Sequence, residues 1–484
     1  MRNLLHISIA LAVAVLAGPA LGRVPEGQVH AVIHVHSSVS SGEHTIAELA
    51  ELAAKAGVGA MVLADHDHVA MEYGLYPLRE LIKVRMDMPS VMEYGPARYL
   101  EEVSRVNADQ KAVTVIPGVQ SSPFYYWEGP PLPGKLTARK YRVELLVAGM
   151  EDPVDYRALP RLHGAPSLDH AGSRLPASLG FLTMALAGGL WFAMGSRWNK
   201  TGMAILVAGI LLAATHHPFT SSPFDPYHGD QGPAPFQHLI DTAAARGALV
   251  FWLHPESLYS REPRSIGPIY EQTRPHADLM VKTSGYTGFS AVYGDTSHAE
   301  QPGRQWDTAI DQYCRGRRNH PPWAIAGADF HYKKGEPIDT YQTILWAPDN
   351  SREEVLAALG RGSMYAVRKS GNRALRLEGY GLIGPGGDRA GSGGHLDTSG
   401  SALLTAVVFA DDGSSHPVRV VLVQDGSVVE TIEGRTPVTV SRKVPVPSGR
   451  MSAVRLLASG PGSQMVANPI FAGTRPGDAG KEAP

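Results

Sequence analysis

Residues 31–36 read Ala31-Val32-Ile33-His34-Val35-His36, a short apolar run that ends in two histidines one residue apart. Residues 60–65, 113–119, 143–149, 248–254, 279–283 and 323–329 have the same character. Most of these runs are nearly continuous in Val, Ile, Leu and Ala, as strands buried on both faces should be. Helical patterns lie between them. Thr45-Ile46-Ala47-Glu48 is a capping box, an apolar stripe follows through Leu49, Leu52 and Ala56, and Gly57 stops the helix. Residues 97–106, 235–246 and 308–315 also have helical spacing. Repeated β-α units of this kind predict an α/β fold with a parallel sheet or a barrel.

Polar residues gather at the C-terminal ends of these runs. His34 and His36 end the first, Asp65-His66-Asp67 the second, Gln120 the third, His254 the fifth, and Asp329 and His331 the seventh. Closed parallel barrels collect their active sites at that end. Residues i and i+2 of a strand share a face, so His34 and His36 can reach one ion. Asp329-Phe330-His331 repeats the spacing. Neutral imidazole suits zinc, copper, iron and nickel. Asp65 and Asp67 flank His66, and such carboxylates bind metal or orient a ligand histidine. Each piece alone has an ordinary explanation: a polar strand face, a surface turn, a buried histidine. Their combination predicts a metal centre.

Composition narrows the class. The formal net charge is -2, so no overall electrostatic pull toward nucleic acid exists, and no nucleic-acid partner is expected. The 52 glycines and 37 prolines suggest a loop-rich fold. Cys314 is the single cysteine, which excludes an internal disulfide and a multi-thiolate metal site.

Arg2, the apolar stretch 4–16 and Ala20-Leu21-Gly22 read as a signal peptide over residues 1–22, with an uncleaved anchor as the alternative. Residues 179–195 and 201–215 are apolar and uncharged, separated by Ser196-Arg197-Trp198-Asn199-Lys200. They predict a transmembrane hairpin over 179–215, with a buried hairpin of a soluble domain as the alternative. Cytoplasmic placement of Arg197 and Lys200 puts both flanks outside. The expected location is therefore the periplasmic side of the inner membrane or the cell surface. From Ser370 the pattern changes to short alternating strands, which predicts an all-β sandwich over 370–473 and a disordered tail over 474–484.

The motif order His-x-His, Asp-His-Asp, Pro-Gly-x-polar, His-Pro and Gly-x-Asp-x-His resembles the PHP (polymerase and histidinol phosphatase) superfamily, from about Val29 to Lys369. That resemblance implies a (β/α)7 barrel over residues 23–369, interrupted by the hydrophobic hairpin, and two or three divalent metals. It carries metal ligation onto His34, His36, His66, His254, Asp329 and His331, with Asp65 beside them. Three positions depart from the pattern. Ser40-Ser41-Gly42 stands where Ser-Asp-Gly is usual, Gln120 replaces a glutamate that commonly bridges two metals, and Glu144 takes roughly the place of a histidine. Glu144 could supply the carboxylate that Gln120 lacks; the site could hold fewer metals; or the barrel could bind without catalysis. One to three ions of Zn, Mn or Fe are expected, with Gln120 and Glu144 as further members of the ligand set. Asp65 and Glu144 are the expected catalytic carboxylates. The C-terminal β region and Ala467-Asn468-Pro469-Ile470-Phe471 resemble an exported subgroup related to carbaryl hydrolases.

The expected function is metal-assisted hydrolysis of a phosphoester or related ester bond in a small-molecule substrate. The alternative is a non-catalytic metal- or ligand-binding protein on the same fold. His216, His217, His228 and Asp230 are read as interfacial loop residues, with an extra metal or substrate contact as the alternative; Thr283-Ser284-Gly285-Tyr286 either lines the pocket on the active face or is an ordinary turn; Arg261, Arg264, Arg368 and Lys369 are cations suited to a phosphate, with Arg368 and Lys369 read rather as ordinary surface charges.

Overall fold

The structure is a computed structural model describing residues 27–131, 135–164, 167, 171–195, 199–258, 261–267, 269–295, 297–332 and 335–476. The expected signal segment, the turn residues Ser196, Arg197 and Trp198, and residues 477–484 of the expected tail lie outside the described residues.

The fold is mixed α/β with large sheets. Its central strands are β1 (Gln28–Val35), β2 (Ala60–Leu63), β3 (Asp65–His66), β4 (Thr114–Ile116), β5 (Gly118–Ser121), β6 (Leu145–Ala148), β7 (Leu249–Trp252), β8 (Gly288–Val292) and β9 (Trp323–Phe330). β2, β5, β6 and β8 are buried at every residue, which is why β2, β6 and β8 read as apolar or small-residue runs without alternation, while β5 carries the buried polar Gln120. β1 runs parallel to β2, β2 to β4 and β3 to β5. β6 is antiparallel to both β5 and β7. β7 is parallel to β8, β8 to β9, and β9 to β1.

Helices cover these strands. In α1 (Ile46–Lys55) the capping box is complete: Thr45 N donates to Glu48 Oε2 at 2.8 Å, and Glu48 N donates to Thr45 Oγ1 at 3.3 Å. Its buried face is Ile46, Leu49, Ala50 and Ala53. α2 (Pro96–Asp109) buries Tyr99, Val103 and Val106, one residue per turn.

Two expectations are corrected here. Residues 279–283 are not a strand: Asp278–Lys282 is helical, and the strand is β8. Glycine, serine and alanine dilute the apolar signal of β8. Gly288 is required there, because a Cβ would fall 2.1 Å from the Trp323 carbonyl oxygen. The sheet is also not wholly parallel, because β6 is reversed against its neighbours. Among the described residues no helix lies between β5 and β6; Tyr126–Glu128 and Thr137–Arg139 form an antiparallel pair there.

The apolar segments form α3 (Ala171–Ala193) and α4 (Asn199–Thr215), so the first helix starts before residue 179. The two pack closely: a Cβ on Gly188 would meet Leu206 N at 2.4 Å, and one on Gly209 would meet Ala185 N at 2.5 Å. Leu179, Leu182, Leu186 and Leu190 face outward, exposed. The crossover continues through α5 (Ala234–Ala244) to β7.

β10 (Tyr341–Trp346) pairs with β1 and with β11 (Met364–Arg368), and β11 pairs with Ser463–Ala467, carrying the sheet into the C-terminal region. There Leu377, Leu404 and Val440 from one sheet share a core with Val420, Leu456 and Met465 from the other. In Gly400–Ala410 buried residues alternate with less buried ones, the period of a strand with one face inward. Asn468 is fully buried and ties this region to β9: its Oδ1 accepts from Ala324 N at 2.7 Å, and its Nδ2 donates to Ala324 O at 3.1 Å and Met364 O at 3.2 Å.

Candidate metal centre

The residues predicted from the strand ends meet at one edge of the sheet. Asp329 Oδ1 lies 3.2 Å from His34 Nε2, 3.6 Å from His36 Nε2 and 3.1 Å from His331 Nε2. Ligand atoms of His34, His36 and Asp329 all lie within 4.8 Å of one another. His34 and His36 are buried, while the Asp329 side chain is half-exposed toward a cleft of about 540 Å³.

Plain strand alternation does not align these groups. His34 sits at an irregularity between Ile33 and Val35, with φ 75°. Asp329 has φ 48° and His254 φ 25°. Left-handed backbone at a non-glycine residue costs about 1–3 kcal/mol, and such strain concentrates where side chains must be re-aimed. The His34 and His36 rings still come within 5.1 Å.

A second arc surrounds Ser41. Its Oγ lies 3.4 Å from His36 Nδ1, 3.3 Å from His66 Nε2 and 3.1 Å from His331 Nδ1. The His36 and His331 rings stack at 4.1 Å, so each presents Nε2 to Asp329 and Nδ1 to Ser41. The third arc holds Gln120, Glu144 and His254. Gln120 Oε1 is 2.6 Å from His34 Nε2, and Glu144 Oε2 is 3.3 Å from His254 Nε2. Reversal of β6 explains the place of Glu144. Leu145 pairs with Ser121 and with Trp252, so the residue before β6 falls at the edge where β5 and β7 end.

Asp65 faces away from this line. Its Oδ1 accepts from Ser37 N at 2.8 Å and Ser40 Oγ at 2.6 Å, and its Oδ2 accepts from Ser37 Oγ at 2.7 Å. It therefore holds the loop that presents Ser41.

Burial lowers His34 to a pKa of about 4 and His66 to about 3, and takes His36 well below its usual value. These imidazoles are neutral at pH 7, the form that ligates a metal. The surrounding protein, by displacing water, pushes the Asp329 carboxyl up, but His34, His331 and His36 together outweigh it and hold it well below the usual range. Burial raises Glu144, against the opposing pull of His254. The donor set fits a divalent ion: His36 Nε2 is buried with no hydrogen-bond partner, and nitrogen and carboxylate donors face one another around it.

Other predicted residues lie elsewhere. Asp230 pairs with Lys140 at 2.6 Å, His228 with Asp225 at 3.1 Å, and the His216 carbonyl accepts from Ser178 Oγ. Residues 283–286 precede β8, at the end opposite the site. Arg264 lies 3.7 Å from Glu271, Arg368 donates to Gly462 O at 3.3 Å, and Lys369 pairs with Asp339. The Arg261 carbonyl accepts from Gln272. Sequence reasoning missed Arg161, His276 and Tyr293 in the cleft wall. Tyr293 directly follows β8, so a correct reading of that strand would have pointed to it.

No family model and no curated protein matches the chain. Among solved structures it is similar to a two-domain protein of Bacteroides vulgatus with a predicted PHP-like metal-dependent phosphoesterase, at 10% identity over 89% of this chain and 90% of that one, TM-score 0.34. A protein of Bifidobacterium adolescentis assigned as a metal-dependent phosphoesterase matches at 15% identity over 63% and 89%, TM-score 0.25. An amidohydrolase of Chromobacterium violaceum, with bound sulfate and no metal, matches at 16% identity over 63% and 89%, TM-score 0.28.

Proposed function

We propose that this chain is a metal-dependent hydrolase of the PHP type, built on a closed seven-stranded barrel and acting on a phosphoester or related ester bond. The observation that carries the reading is the meeting of His34, His36 and Asp329, distant along the chain, within 4.8 Å. The parallel pairing of β1 with β2 on one side and with β9 on the other supports the barrel. His66, His254 and His331 extend the donor set to either side. A divalent ion, Zn, Mn or Fe, supplies Lewis acidity toward the scissile oxygen when bound. Glu144, buried and raised in pKa, is placed to accept a proton in the cleft, and His254 beside it orients the carboxylate. Asp65 is a positioning residue for the Ser41 loop.

A second reading is a metal- or ligand-binding protein without turnover. One observation favours it: Ser41 and Gln120 bring no charge to places where carboxylates would neutralise further ions. Elemental analysis of the purified protein, followed by assays with phosphomonoester, phosphodiester and carboxyl-ester substrates, separates the two. Two or more metals with turnover lost in His34→Ala supports the enzyme. Stoichiometric metal with no turnover supports the binder.

Export and membrane attachment through α3 and α4 belong to the same proposal. Leu175–Ala193 has 19 residues, about 28 Å as a helix, and is mostly exposed. Recovery of the protein in the membrane fraction after a high-salt wash is the expected result. Release of the intact protein by salt alone would overturn it.

A further inference from the structure

Arg161 lies in the segment after β6, where the cleft of the metal centre adjoins a second cavity of about 770 Å³. Arg161, His68 and Met88 line both. Arg161 is 5% exposed. Its Nη2 donates to the carbonyls of Tyr156 at 2.8 Å and Arg157 at 2.7 Å, which fixes the side chain at the end of the helix Pro153–Ala158. Its Nη1 is buried and has no partner. Among the described residues Arg161 makes no ion pair. Asp67 is nearby, but its oxygens already accept from Ser121 Oγ and His68 N. His68 Nε2 is likewise buried without a partner.

A buried guanidinium with an unused N–H is costly unless something it binds supplies the missing acceptor. Pinning the helix uses only Nη2. We propose that Arg161, with His68 beside it, forms an oxyanion subsite in the cleft wall that takes a phosphate or carboxylate group of the substrate. The free Nη1 can donate a charge-assisted hydrogen bond to an oxygen of either group. The subsite rests on the hydrolase reading for the bond that is cut, not for binding of the anion.

Inorganic phosphate and, in a separate arm, acetate are titrated calorimetrically into the full-length, metal-loaded protein. Wild type, Arg161→Gln, Arg161→Lys and Asp329→Asn are compared. The wild type should bind at least one probe. Arg161→Gln should weaken that binding about tenfold or more, since one charge-assisted contact is lost. Arg161→Lys should lose less, and Asp329→Asn should retain binding. Preference for phosphate assigns a phosphoryl group, and preference for acetate a carboxylate. If Arg161→Gln does not fold, His68→Gln provides the same comparison with a smaller loss. Failure of the wild type to bind either probe overturns the subsite, as does binding that ignores Arg161 and His68 or disappears only in Asp329→Asn. If the chain proves not to be a hydrolase, anion binding and its dependence on Arg161 still stand.

Discussion

His34 Nε2 and Gln120 Oε1, 86 positions apart in the sequence, face each other at 2.6 Å. An amide oxygen can only accept, so this contact places the proton on His34 Nε2, and ligation through that nitrogen competes with it. Gln120→Glu keeps an acceptor at that position and adds an anionic ligand between His34 and Glu144. Without metal, two buried carboxylates repel, and the melting temperature should fall below wild type. With Zn²⁺ restored, it should rise by more than in wild type. Calorimetry should show affinity stronger by about tenfold, roughly 1.4 kcal/mol. Unchanged affinity would place Gln120 outside the reach of the ion.

Asn468 satisfies the N–H and carbonyl of Ala324 together, five residues before Asp329 on β9. Asn468→Ala leaves both buried backbone groups unpaired. It should cost about 2–4 kcal/mol in urea unfolding. Asn468→Asp should fail similarly, because it has no N–H to give Ala324 O or Met364 O. Loss below about 0.5 kcal/mol would mean water replaces the amide.

The parts of this site that were legible in the sequence are those carried by period and position. His34, His36, Asp329 and His331 stand at the ends of apolar runs, and the structure brings them together. The backbone that achieves it was not legible, since nothing in Ile33-His34-Val35 marks a left-handed histidine. Glu144 was legible only by its place in a motif, because the direction of β6 depends on pairing partners distant in sequence. β8 escaped because Gly288, Ser290 and Ala291 carry little apolar signal, although all are buried. Arg161 lies in an irregular segment where no periodicity exists to be read.

Arg455 joins the C-terminal strand Met451–Gly460 to Asp307 in α6 (Gln305–Cys314) through two parallel hydrogen bonds of 2.8 Å. Both side chains are buried, and the guanidinium lies 4.5 Å over the Trp306 ring. Arg455→Ala strands a buried carboxylate and should cost about 3–5 kcal/mol, whereas Arg455→Met paired with Asp307→Leu should recover much of that loss. Chemical denaturation of both variants checks this. A double variant no more stable than Arg455→Ala would show that the ion pair itself holds the two regions.

Buried neutral imidazoles also set how stability follows pH. Burial lowers His276 to a pKa of about 3, and burial aided by Arg376 lowers His30 to about 4, against 6.5 for an unperturbed histidine. Between those values the unfolded chain takes up protons that the folded chain refuses. The unfolding free energy therefore rises with pH from about 4 to 6.5 and levels off above. Chelator-treated protein should need less urea to unfold at pH 5 than at pH 7, and His276→Gln should flatten that slope. A profile flat across this interval in the wild type would mean that these imidazoles are protonated inside the fold, and that the pocket around them is wet.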